Sequence, residues 1–441
     1  MADQDTLRCH LWMAFLGVLV FVGVPPSVVA AQQAPGAAAL PSPAAAMGPA
    51  GPQEELRTIT APAISAESEE KLHAAFEHLY NLEFTQARTL FEQIAQAEPA
   101  SATVRAFWAS AILYEMLAHQ GSLQAQLFVS KDFLKHQRLP PDPELDREFH
   151  RLTEEAVRLA RRRLEADEQD VDGLFALGLA YGNRANYLVG VNEEYFRGLR
   201  LGEKAADYHE KLRKVRPEIH DSSVVLGIHD YILGNLRLAQ RFLLFFLGAH
   251  GDRERGLEYL REAAAHGEFL RPYARTLLVV TNMREGNLQR AANLAAGLRA
   301  EYPRNPIFAL ELARLYRRLE QHAEATRVCQ SLLAELLAHP HNPRIIGLED
   351  ALLELGLIEA AQGQWERALQ SLARVESIPE ANPRVLARAT LERGKIYDRL
   401  GEGEKALAEY EKVIDLAVDI TFTRPALNYR QRPYQVEKEK E

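Results

Sequence analysis

Cysteine is almost missing from this chain: Cys9 and Cys329 are the two among 441 residues. Cys9 falls in an N-terminal segment that reads as removable, so the mature chain keeps one thiol and no disulfide of its own. Stability must therefore come from apolar burial, and 47% hydrophobic with 26% charged residues is a globular composition. An excess of positive charge is missing too. A net charge of -9 and a pI near 5.9 leave no overall attraction for phosphate backbones, which argues against a nucleic-acid partner. There is no convincing segment with the two-residue period of a strand. Phosphate-cradling Gly-rich loops, nucleophile elbows and dinucleotide fingerprints do not occur, so the expectation is a non-enzyme that needs no cofactor and no metal.

What is present starts with an export signal. Arg8, diluted by Asp3 and Asp5, precedes an apolar stretch from Leu11 to Val24, then Pro25, Pro26 and the small residues Ala30 and Ala31. At 14 residues the stretch falls short of the roughly 20 needed to cross a bilayer. Residues 1–31 thus read as a cleaved signal peptide, and the protein as periplasmic or secreted. An N-terminal membrane anchor is the second reading. Residues 32–65, rich in Ala and Pro, form a linker.

From residue 66 the pattern becomes amphipathic helices broken by Gly, Pro and Asn-Pro, and the helices repeat in pairs. In the best copy Gly394 is followed by Tyr397, Gly401, Ala406 and Tyr410. Small residues at 394 and 406 let paired helices approach, the aromatics fill the space between repeats, and Gly401 sits in the turn. The same frame recurs at Gly356, Glu359, Gly363, Ala368 and Leu372, and at Ala313, Tyr316, Glu320, Ala325 and Cys329. Ala291 precedes Ala325 by 34 residues. Cys329 thus occupies a core position, a buried structural thiol and not a nucleophile. About eight helix pairs fit residues 66–420, with insertions near 121–143 and 186–202 and an irregular tail over 421–441.

These residues resemble the tetratricopeptide-repeat superfamily. Leu226-Gly227 with Tyr231, the apolar run Phe242 to Leu247, Gly251-Asp252-Arg253 with Gly256-Leu257, and Tyr302 to Pro306 with Phe308 resemble bacterial cell-envelope members of it. The Gly-Asp-Arg segment is also similar to one in the eukaryotic family that includes the inclusion-body clearance protein, from which no function is carried. The resemblance implies an all-α, right-handed superhelical solenoid of antiparallel helix pairs whose concave groove, lined by first helices, holds a peptide or a partner domain. It implies no catalytic residues.

Two places carry chemistry. His220, His229, Asp230, Tyr231, His250 and Asp252 could suggest a metal or acid-base site, but no His pair on one helical face and no Cys ligand accompanies them. Capping by Asp252 and ion pairing by Arg253 is the preferred reading. The second place is the groove. Registering the repeats puts Arg284, Arg314, Arg317, Arg318, Arg388, Lys395 and Arg399 on first-helix positions not needed internally. This basic stripe suits an acidic peptide or carboxylate, and the alternative is an ordinary solvated face with partners such as Glu311. The functional expectation is an extracytoplasmic protein–protein adaptor or assembly scaffold. The alternatives are a binding module for an anionic envelope polymer or small ligand, and an enzyme within residues 181–256.

Overall fold

The computed structural model describes residues 64–123, 140–235, 251–338, 345–418 and 420–435. The signal segment, nearly all of the linker, the run Phe242–Leu247 and most of the first insertion lie outside these residues. Within them the chain forms 17 α-helices and no strand.

The helices come as eight successive pairs: α1 (Ala66–Tyr80) with α2 (Phe84–Ala97), α3 (Ala102–His119) with α4 (Pro143–Ala166), α5 (Val171–Gly190) with α6 (Tyr195–Val215), and α7 (Ser222–Gly234) with α8 (Arg253–His266). They continue as α9 (Arg271–Arg284) with α10 (Leu288–Glu301), α11 (Pro306–Arg318) with α12 (His322–Ala338), α13 (Leu348–Ala361) with α14 (Trp365–Glu376), and α15 (Pro383–Arg399) with α16 (Gly403–Leu416). Each pair also touches the next, the nearest-neighbour stacking of a solenoid.

Local sequence sets these boundaries. Asn305 accepts a hydrogen bond from the Ile307 amide at 2.9 Å, and Pro306 opens α11 where its missing N–H is no loss. Asn382 and Pro383 repeat the device at α15, and Asp142 and Pro143 at α4. Between the helices of a pair the chain turns through a left-handed residue at one frame position: Leu82 at φ +62°, Gly286 at +78°, Glu320 at +59°, Gly363 at +72° and Gly401 at +75°. Two of the five are not glycine, and those two carry the backbone strain that glycine relieves.

Close approach within a pair depends on the small residue of the first helix. A Cβ on Gly394 would lie 2.5 Å from the Tyr410 ring, so the tyrosine of α16 rests directly on the α15 backbone. His209 takes the same slot in the α5–α6 pair, against Gly178. It is 1% exposed, neither ring nitrogen has a hydrogen-bond partner among the described residues, and burial pushes its pKa down to about 3, so the ring stays neutral.

The structure departs from the sequence reading in two stretches. Over 186–202 the extra residues lengthen both helices, which run to Gly190 and from Tyr195, with a short turn between them. In the tail, Ile420–Gln431 is a helix, α17, although Pro425 lies inside it. Proline removes one interior backbone donor, and burial of Ala426 together with Tyr429 against Tyr410, rings 5.5 Å apart, compensates.

The solenoid also closes on itself. Phe76 of α1, Phe107 of α3 and Phe175 of α5, all on first helices, form an aromatic chain with centroids 5.0 and 5.6 Å apart. Phe269, from the turn before α9, joins it 5.3 Å from Phe76 and 5.4 Å from Phe107. The Tyr80 hydroxyl donates to the Phe269 carbonyl at 2.9 Å, and Asn305 Nδ2 donates to the Tyr80 carbonyl at 2.7 Å. Arg304 adds an ion pair to Glu83 at 2.7 Å. Helix α1 is thus seated against turns that follow it by about 190 to 225 residues.

Candidate functional site

The closure divides the face presented by the first helices. In the N-terminal half it is buried aromatic core; in the last three pairs, where α11, α13 and α15 touch in succession, it is polar. This polar face contains most of the basic residues singled out in the sequence, and the structure gives them different surroundings.

Arg314 is 7% exposed, with Nη1 2.8 Å from Glu311 and Nε 3.7 Å from Glu354 of the next first helix. Arg317 reaches the same Glu354 at 2.6 Å. Glu354 is itself 2% exposed, so two guanidiniums and two carboxylates form a buried network across α11 and α13. Breaking such a network strands a charge, which makes Arg314 a structural residue and removes it from the set a partner could touch. Cys329 lies behind the network, its thiol 3.2 Å from the Ala351 carbonyl, and burial pushes its pKa up to about 12. That thiol is not a nucleophile.

Arg318 is exposed and Arg388 half-buried, and neither makes a close ion pair or a hydrogen bond among the described residues, with Glu311 acting on Arg318 and Glu392 on Arg388 from farther off. Burial draws both guanidiniums below the ordinary arginine range, and the neighbouring Arg317, joined at Arg388 by Arg314, adds to the effect. An anion placed there would relieve this repulsion. Arg284 is exposed at the end of α9, beyond this cluster.

Lys395 and Arg399 close the far side of the face on α15. Lys395 pairs with Glu392 at 3.5 Å and lies over the rings of Tyr429 and Tyr434, at 5.9 and 5.1 Å. Arg399 lies between Trp365 and Tyr434, 5.3 and 5.4 Å from their rings. The basic residues are therefore not one continuous stripe. They comprise Arg314 and Arg317 on the Glu354 network, Arg318 and Arg388 without a close ion pair, Lys395 and Arg399 flanked by aromatic rings, and Arg284 apart from the rest.

The central histidine and acidic cluster does not converge on one point. His220 Nδ1 is 2.8 Å from Glu262, which also takes Arg213. Asp230 is held by Arg255 through a two-point contact and lies 3.6 Å from His229. Asp252 caps α8 by accepting from the Arg255 amide at 3.0 Å. His250 lies outside the described residues. Elsewhere Glu69, His73 and Glu268 bring ligand atoms within 4.8 Å of one another, and the His73–Glu268 contact at 3.2 Å is an ordinary ion pair of the α1 closure.

Residues 240–381, about a third of the chain and spanning α8 to α14, match the family model Iml2/Tetratricopeptide repeat protein 39. The repeats of that stretch are thus similar to the tetratricopeptide type. No curated protein matches the chain. Among solved structures it is similar to human IFIT1, crystallised as a dimer with m7Gppp-AAAA, at TM-score 0.40 and 13% identity, covering 84% of this chain and 86% of that one. Yeast Tom70 gives TM-score 0.37 and 11% identity over 80% and 86% of the two chains. The APC/C hetero-tetramer Cut9-Hcn1 gives TM-score 0.37 and 11% identity, covering 79% of this chain and 59% of that one. The chain therefore spans less than two thirds of the Cut9-Hcn1 chain. No helix among the described residues is long and apolar enough to cross a membrane.

Sequence reasoning missed Glu354 and Asp398, whose carboxylates organise the face, and Tyr434, which covers it. Glu354 carries one local signal, a charge set between Leu353 and Leu355 in a run that is otherwise apolar. Nothing local marks the other two.

Proposed function

We propose that this protein is an exported, non-catalytic scaffold whose last three repeats hold a carboxylate-bearing segment of a protein partner on their first-helix face. Tetratricopeptide repeats in general serve as protein-interaction modules, and the observation that carries this reading is the state of Arg318 and Arg388. They make no close ion pair among the described residues, on a protein of net charge -9, while Glu311 and Glu354 engage their neighbours. A guanidinium without a close internal carboxylate is the side chain best suited to two-point capture of one from outside. Export rests on the apolar run Leu11 to Val24 and the small residues after it.

Crosslinking in the native cell, followed by identification of the captured protein, tests the binding face. The double variant Arg318→Glu, Arg388→Glu is expected to lose the captured partner while keeping the wild-type melting profile. Undiminished capture rejects this face. Export predicts a mature N-terminus just after Ala30 or Ala31, read by N-terminal sequencing; an intact Met1 on protein free in the cytoplasm rejects it.

A further inference from the structure

The first-helix face of the last pair is already occupied, and its occupant is the chain's own tail. After α17 ends at Gln431 the backbone leaves the helix, and of Arg432, Pro433, Tyr434 and Gln435 only Tyr434 is buried, at 7% exposure. Its amide donates to Asp398 Oδ2 at 2.7 Å, and its hydroxyl accepts from Arg399 Nη2 at 3.3 Å. Its ring lies beneath Lys395 and Arg399 and meets the edge of Tyr429 at 5.3 Å.

This is how a groove holds a ligand. A helix-borne carboxylate fixes one backbone N–H of a non-helical segment, and one side chain fills an aromatic-recognition slot formed by two cations and a neighbouring ring. The residues on either side of Tyr434 are solvated, so among Arg432–Gln435 the burial is that of one side chain, and that side chain is not part of the main core.

We propose that Arg432–Gln435 is a displaceable strap occupying the aromatic slot of the partner groove, and that the slot takes an extended peptide bearing an aromatic side chain. The proposal rests on the reading of this face as a peptide groove. It adds the second half of the recognition: a carboxylate for Arg318 and Arg388, and an aromatic ring for Lys395 and Arg399. The strap keeps the slot covered until a competing segment displaces it.

The test uses the full-length chain and a fluorescently labelled synthetic peptide of residues 428–435. Fluorescence anisotropy should show at least tenfold tighter binding to the Tyr434→Ala variant than to wild type. The gain should vanish when Lys395→Glu and Arg399→Glu are added, or when the tyrosine of the peptide that corresponds to Tyr434 is replaced by alanine. Binding to a folded Tyr434→Ala protein no tighter than to wild type overturns the proposal. A measurement on the unaltered chain guards against a variant that misfolds: an excess of unlabelled peptide of residues 431–435, whose Arg432-Pro433 bond trypsin does not cut, should speed tryptic cleavage of the chain after Arg430 severalfold, and unchanged cleavage likewise overturns it. Neither assay needs the native partner. Lost capture by the Arg318 and Arg388 variant and failed peptide exchange therefore report on separate claims.

Discussion

At the scale of single residues, the repeat is a set of steric requirements that different side chains meet with different success. The turn position demands a left-handed backbone, and Glu320 supplies it at φ +59° with an exposed side chain. Replacing it by glycine should relieve about 1–2 kcal/mol of local strain against about 0.5–1 kcal/mol of added chain entropy, a net gain of about 0.5–1 kcal/mol. Urea denaturation of Glu320→Gly should show that rise, and a fall in midpoint would refute the strain argument. Leu82 occupies the equivalent position at +62° but is 4% exposed, so its side chain is part of the core and the same substitution should not help. Each of these positions is readable from sequence, because small residue, turn residue and second-helix residue recur at fixed offsets.

Between elements, sequence says less. That Arg314 lies near Glu311 is local knowledge, three residues along one helix. That Glu354 binds both Arg314 and Arg317 is not, because the contact joins first helices of successive repeats and requires α11 and α13 to be placed side by side. Face assignment by register therefore put a buried arginine among the groove residues. Glu354→Ala should leave Arg317 without its carboxylate and Arg314 with Glu311 alone, and lower stability by about 3–5 kcal/mol, seen as a melting temperature reduced by several degrees. A shift within error would mean that Arg314 reaches solvent and belongs with the binding set after all. The tail helix was hidden for a related reason. Pro425 reads as a breaker, and only Tyr410 and the α15–α16 surface provide the burial that overrides it.

For the molecule as a whole, the closure of α1 on the turns before α9 and α11 is the feature that no periodic pattern announces. A repeat frame specifies neighbours, and Phe269 and Asn305 are not neighbours of Tyr80 in any repeat sense. Asn305 is fully buried and does two jobs, capping α11 and holding the Tyr80 carbonyl. Asn305→Ala should cost about 2–3 kcal/mol, from a lost cap and a buried carbonyl left without its donor. Hydrogen exchange should locate the damage, with amides of α1 and α2 losing protection and those of α15 and α16 unchanged. Uniform loss along the chain would show that the solenoid behaves as one unit, and intact α1 protection would show that the closure contributes nothing.

The closure also sets a clock. The amide of Arg304 binds the side chain of Asn81, made 223 residues earlier. At roughly 5–20 residues per second, α1 waits about 10–45 s after synthesis before its docking site exists. During that interval Phe76 and Tyr80 have their neighbours on α2 and α3 but lack Phe269 and Tyr302. Under the proposed export, with the N-terminus crossing first, α1 would be the earliest helix of the folded domain to arrive and among the last to gain its closing contacts.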